Sequence, residues 1–193
     1  MAATSSWAFR FSRNVLLWLV PCFLFWSVLT GFYNRFLTVS AQNLLHLGES
    51  PNVTQLLKED LHYIGVSRSD FPPGKGVLYR IRVTDVHFHL YLLFALFLAV
   101  PDVPLKERLS ALGWAWLVAV FFEITDLFLW VKFVYATQLG SWSAEHYSSF
   151  GQNFWGLGKH VFDLPLKLAL PFALWMAFFY RRLPFFAQRS ASS

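Results

Sequence analysis

A mainly α-helical membrane protein is the fold class this sequence predicts, a bundle of four transmembrane helices with a small extracytoplasmic β-hairpin or short antiparallel sheet. Composition is the first reason. Of 193 residues, 56% are hydrophobic and only 14% charged, with 22 Phe and 9 Trp, a balance that suits lipid and not water. The second is a set of four apolar runs that approach or exceed the roughly 20 helical residues needed to cross about 30 Å of hydrocarbon. The third is a segment between the first two runs, residues 37–82, that is too polar for the membrane and carries the two-residue alternation of a strand.

Taken in order, the spans are expected at about 14–35, 83–100, 109–135 and 153–180, in one membrane domain covering 1–193 without internal repeats or a separable linker. In the first, bulky apolar residues continue from Val15 through Phe32. A secretory signal would instead show a short core and a small-residue cleavage site, so a retained anchor is predicted. "SAQNLLHL" extends that helix outward. In "VLYRIRVT", Val77, Tyr79, Ile81 and Val83 alternate with Leu78, Arg80, Arg82 and Thr84, which predicts a strand. "LHYIGVS" is a weaker partner strand, and "SDFPPGKG" supplies the Pro and Gly punctuation of a hairpin loop. Because a lone hairpin is marginal in water, a third strand, contact with the helices, or a bound partner is expected. "NVT" at Asn52 is a glycosylation sequon in form. The second span stops at Pro101, which lacks the donor a continuing helix needs. "ATQLGSWSAEHYSSFGQNFWGLG", between spans three and four, has the Gly and aromatic content of a loop at headgroup level.

Basic residues indicate orientation. Of 16 Lys and Arg, seven flank span ends: Arg10 and Arg13, Lys106 and Arg108, and Arg181, Arg182 and Arg189. The positive-inside tendency then places both termini of a multi-pass protein in the cytoplasm, although Arg80 and Arg82 lie near the opposite side. The net charge of +5 is thereby explained by membrane lipids as partners, without nucleic acid. The single cysteine, Cys22, excludes an internal disulfide and a multi-cysteine zinc site. With no cationic neighbour within a helical turn, it reads as a packing residue and not a nucleophile.

The chemistry-bearing residues sit inside the apolar runs. In "FFEITDLFLW", Glu123 and Asp126 share a face of span three; in span four, His160, Asp163 and Lys167 recur at three and four residues. An unpaired charge at mid-span costs about 2.5–3.5 kcal/mol on insertion scales. These groups are therefore expected to face one another, Lys167 serving as counter-ion to Glu123, Asp126 or Asp163. Such an intramembrane polar network serves either to fix helix register or to form a binding or proton-handling pocket. In "VTDVHFHL", Asp85, His87 and His89 share one side if extended, whereas His87 and His89 diverge by about 200° in a helix; they form a candidate outer pocket. Imidazole and carboxylate suit zinc or iron, but the ligands come from separate segments without HExxH spacing, so no metal is expected. No phosphate loop, nucleophile elbow or calcium loop is present, so no cofactor and no catalytic residues are assigned.

The stretches "RFSRNVLLWLVPCFLFW", "VLYRIRVTDVHFHLYLLFALFLAVP" and "FGQNFWGLGKHVFDLPLKLALPFALW" resemble the exosortase H-associated membrane proteins, in order of elements and in aromatic texture over most of the chain. The resemblance implies a bacterial inner-membrane accessory protein working beside an exosortase, a multi-pass Cys transpeptidase that cuts the C-terminal sorting helix of exported proteins. The Cys, Arg and His of that protease are not reproduced around Cys22. The expected function is thus non-catalytic, docking an exosortase or an exported substrate at the outer face. The alternative is an intramembrane enzyme or proton-coupled carrier using Glu123, Asp126, His160, Asp163 and Lys167; a chain without inverted repeats is a poor stand-alone transporter. A third reading, lipid handling, rests on the aromatic outer loop alone.

Overall fold

The computed structural model describes residues 2–60, 62–71 and 77–182, with the side chains of all of these except 2–5 and 84–88. It is mainly helical with one small sheet, in the order α1 (Ala2–His46), β1 (Thr54–Lys58), β2 (Tyr63–Arg68), β3 (Tyr79–Arg82), α2 (Thr84–Ala99), α3 (Leu105–Thr137), α4 (Ser141–His146), α5 (Ser149–Val161), a π-helical turn (Phe162–Leu166) and α6 (Lys167–Phe179). Two helical segments are long and apolar enough to cross a membrane, Ser6–His46 and Ser149–Arg182. The described residues divide into two compact units, 2–28 with 88–119 and 167–182, and 29–60, 62–71 and 77–87 with 120–166.

In the first unit, polar groups collect where α2 ends before Pro101 and Pro104. The last carbonyls of a helix have no internal donors, and here Arg108 supplies one, its Nη1 donating to the Leu98 carbonyl at 2.6 Å, while its Nε donates to the Val103 carbonyl in the following connection at 2.7 Å. Asn14 Nδ2 donates to the Ala99 carbonyl at 3.2 Å. Arg10 clasps Asp102 through two bonds of 3.1 and 2.9 Å, and Arg182 reaches Glu107 at 3.0 Å. Aromatic contacts include the half-buried Phe11 on Trp175 at 5.0 Å and the buried Phe97 against Phe179 at 5.3 Å. Leu16, Leu17, Val20, Phe23, Leu24, Phe25 and Val28 are exposed on α1, the surface expected of a helix facing hydrocarbon.

The second unit contains the sheet, an antiparallel meander in the order β1-β2-β3. Leu56 stands opposite Val66, and Ile64 opposite Ile81. Strand alternation therefore puts Thr54, Leu56, Ile64, Val66 and Ile81 on one buried face. The third strand needed to stabilise a hairpin is β1. Its TQLLK sequence hides the alternation because Leu57 points outward and is half exposed. Residues Ser141–His146 and Ser149 onward are helical, so the aromatic connection predicted as a loop contains α4 and the start of α5. Ser148 makes this possible by capping α5, its side chain accepting from the Gly151 N–H.

Candidate functional site

The carboxylates of α3 are buried by the periodicity that buries its apolar residues. Leu112, Ala115, Ala119, Glu123, Leu127, Val131 and Val134 recur every three or four positions, and all are buried, as is Asp126. The α1 segment of the same unit buries Tyr33, Asn34, Leu37, Thr38, Ala41 and Leu45. Between these helices the Tyr33 hydroxyl donates to Glu123 Oε2, so a carboxylate held away from water receives a strong donor. Thr38 Oγ1 donates back to the Asn34 carbonyl at 2.7 Å. Tyr33 and Asn34 escape a reading of the sequence because they resemble the interfacial flank of span one. The available signal is that 33, 34, 37 and 38 lie on one helical face.

In α5 and the π-helical turn, Asp163 Oδ2 accepts from Lys159 Nζ at 2.8 Å, and the ammonium sits 3.8 Å from the centroid of the Trp130 ring. Lys159 is buried; the carboxylate and the aromatic face together offset its desolvation. The wider turn is explained by Pro165, which cannot donate to a carbonyl one α-turn back and whose ring crowds that carbonyl. His160 is exposed and sets its ring edge against Phe133 at 5.6 Å. Sequence reading singled out His160 and missed Lys159 beside it, although Lys159 and Asp163 are four residues apart. Lys167, the first residue of α6, and His89 on α2 are fully buried within the first unit. The backbone from Thr84 is helical, and the side chains of Asp85 and His87 lie outside the described residues. Among the described residues, no three His, Cys, Asp or Glu side chains converge on a position that could hold a metal ion.

A third cluster surrounds Arg68, at the end of β2. Because Arg68 lies opposite Thr54 in the sheet and two residues from Val66, strand alternation directs it to the buried face. Its guanidinium lies 4.7 Å from the Tyr135 ring centroid and 4.8 Å from that of Trp142. Nε and Nη2 bond both oxygens of Asp70 at 2.9 and 2.7 Å, and Glu49 approaches Nη1 at 3.9 Å. Glu49 Oε2 accepts the N–H groups of Val53 and Thr54 at 3.2 and 3.0 Å, and its other oxygen accepts from the Thr54 hydroxyl. With that hydroxyl donating to Glu49, the Tyr135 phenol donates to Thr54 Oγ1 at 2.8 Å. Ser143 Oγ donates to the Tyr135 carbonyl at 2.8 Å and accepts the Leu139 N–H at 3.0 Å. The cluster thus joins β1, β2, α3 and α4 through charge-assisted bonds and stacked rings. The hydrogen bond from Arg68 lowers the Asp70 pKa below the usual carboxylate value, assisted by the Arg68 charge. Asp60, at the β1–β2 turn, is lowered by the His62 backbone N–H, with the Tyr63 N–H adding to it.

The two edges of the sheet differ. At β1, Leu56 N donates to Gln42 Oε1 at 2.9 Å, His46 Nε2 lies 2.8 Å from the Thr54 carbonyl, and Lys58 Nζ reaches the Gly31 carbonyl at 3.2 Å. Side chains of α1 therefore occupy that edge. At the other end, Val83 N donates to the His62 carbonyl at 2.7 Å. With that pairing, antiparallel alternation turns the backbone N–H groups of Arg80 and Arg82 away from β2.

No curated protein and no solved structure matches this chain. The family model described as exosortase H-associated membrane protein matches residues 6–182. A match of that extent covers both units and every cluster described above, and on this ground the chain belongs to the exosortase H-associated membrane protein family.

Proposed function

We propose that the protein is a non-catalytic accessory of an exosortase in protein sorting at the bacterial inner membrane, and that its sheet, facing outward, docks the exosortase or its exported substrate. Membership of the family carries this reading. Supporting it is the asymmetry of the sheet: β1 is bonded to α1, whereas β3 turns the N–H groups of Arg80 and Arg82 outward, where an extended segment can pair. The Arg68 cluster ties β1 and β2 to α3 and α4. Cys22, buried on α1, is read as a packing residue. Replacing residues 62–82 by a short Gly-Ser linker is expected to abolish recovery of a co-expressed, tagged exosortase. Arg82→Pro is the finer test, since it removes one outward donor and leaves the pairing with β2 intact. Unchanged recovery with both variants rejects this role.

A second reading, an intramembrane enzyme or proton-coupled carrier, is favoured by the buried Glu123 with Tyr33 donating to it. Glu123→Gln separates the two. A carrier or enzyme loses function while the protein is made at normal abundance, whereas a packing network loses abundance first.

A further inference from the structure

Two cations meet where β1 runs up against α1. The apolar run of α1 that begins at Val15 ends at Phe32, and Tyr33, Asn34 and Arg35 follow, the change of composition that marks the passage from hydrocarbon to headgroups. At this level Lys58, the last residue of β1, reaches across to α1 and donates from Nζ to the Gly31 carbonyl at 3.2 Å. Gly31 has no side chain to obstruct that approach. Arg35 follows four residues later, on the same helical face, and helical side chains lean back over the preceding turn. An ammonium and a guanidinium thus share one side of α1 within about one helical turn, and both residues are exposed.

The carboxylates next along the chain are engaged elsewhere. Glu59 pairs with Arg80 at 2.7 Å, and Asp60 Oδ1 accepts the backbone N–H groups of His62 and Tyr63 in the turn. Among the described residues neither Arg35 nor Lys58 makes an ion pair, and like charges held close together repel. Bulky rings border them: Phe32 and Phe36 on α1 are 76% and 45% exposed. Tyr63, half-exposed, stands at the Lys58 end of the sheet. Water would suit the charges and not the rings, and acyl chains the reverse. The complement to both is an anion that brings apolar chains with it.

We infer that Arg35 and Lys58 hold the phosphate of an anionic phospholipid in the outer leaflet, the guanidinium through paired N–H bonds and the ammonium as a point charge. Phe32 and Phe36 lie at the level of its acyl chains, and the bound headgroup seats the Lys58 end of β1 on the membrane surface. A free phosphate would answer the charges and leave the rings in water; a zwitterionic headgroup brings a competing ammonium of its own. The inference takes the outward placement of the sheet from the reading above and goes beyond it, since it needs no exosortase.

The test reconstitutes the full chain into phosphatidylcholine vesicles containing a small fraction of phosphatidylglycerol with a diazirine at the top of one acyl chain, and maps the photoadducts by peptide mass spectrometry. A strong adduct within residues 29–60 is expected, and a much weaker one when the diazirine is carried by phosphatidylcholine instead. Arg35→Gln and Lys58→Gln should each lower the phosphatidylglycerol adduct about fivefold, the weight of one basic residue at an anionic membrane surface. Adducts near Arg10 and Arg13, and the thermal midpoint in detergent, should not change, and Lys58→Arg should keep the wild-type yield. Equal yields from the two lipids, or unchanged yields in both Gln variants, overturn the site. Loss of the adduct in Lys58→Arg overturns the role of the Lys58 charge, and displacement by inorganic phosphate assigns the site to a free anion and overturns the lipid. Recovery of a tagged exosortase is measured on the same variants, so that the lipid site and the accessory reading can each fail while the other stands.

Discussion

Tyr33 and Arg68 show how single side chains carry this structure. Removing the phenol of Tyr33 leaves Glu123 Oε2 without that donor in a buried position, and the loss of one donor to a buried acceptor costs about 1–3 kcal/mol. Tyr33→Phe should therefore lower the thermal midpoint in detergent by several degrees, and an unchanged midpoint would remove this bond from the account. At Asp70 the consequence is pH dependence. Its folded pKa is depressed by Arg68, so the stabilisation is complete above the unfolded value of about 3.9 and is lost as pH falls through the lower folded value. Amide-exchange protection of residues 63–70 should be level from pH 5 to 7 and decline below about pH 4. Asp70→Asn should remove part of that decline, modestly, because the Asp70 side chain is 42% exposed and solvent screens the pair. Of these residues only Glu123 stands out in the sequence. Arg68 could have been found by extending the alternation of Ile64 and Val66 two positions further.

At the level of elements, the sheet depends on a glycine as much as on its apolar face. Gly65 sits between Leu57 on β1 and Arg80 on β3, under the ion pair of Glu59 with Arg80 at 2.7 Å. A Cβ there would lie 2.9 Å from Glu59 Oε1 and 3.2 Å from both methyls of Val77. Gly65→Val should displace Glu59 and Val77 and destabilise the sheet by about 1–3 kcal/mol, the usual range for overpacking. Faster limited proteolysis between 54 and 82, with the helical bands intact, is the expected readout; wild-type rates would show that the two side chains move aside freely. Strands β2 and β3 were legible from alternation and turn residues. Strand β1 was not, because its fourth residue, Leu57, breaks the pattern, and because its edge is completed by Gln42 and His46 of α1, 14 and 8 residues away in the chain from the strand groups they meet.

For the whole molecule, the arrangement to test is four crossings with both termini in the cytoplasm. In a Cys22→Ser background, single cysteines at Asp70 and Ser149 should react with an impermeant maleimide in intact spheroplasts, and cysteines at Asp102 and Ser190 only after permeabilisation. Labelling of Ser190 from outside would mean an odd number of crossings. Two segments, Ser6–His46 and Ser149–Arg182, are long and apolar enough to cross. By contrast α2 has 16 residues, and α3 carries Glu123, Asp126 and Lys132 within its 33. Whether these two helices span therefore turns on what covers their polar positions, and not on hydropathy alone.

Hydropathy and two-residue alternation were enough to indicate a mainly helical membrane chain with a sheet-forming insertion, and three stretches that resemble the exosortase H-associated membrane proteins pointed to the family, since each is a property of the chain itself that survives without knowledge of the fold. The partners of the ionisable side chains were a matter for folding. Glu123 receives Tyr33, ninety residues away, Asp163 takes Lys159, and Arg68 lies between Tyr135 and Trp142. A buried charge accepts whichever donor, counter-ion or ring packing brings within about 3–5 Å, and spacing along the chain does not encode that distance.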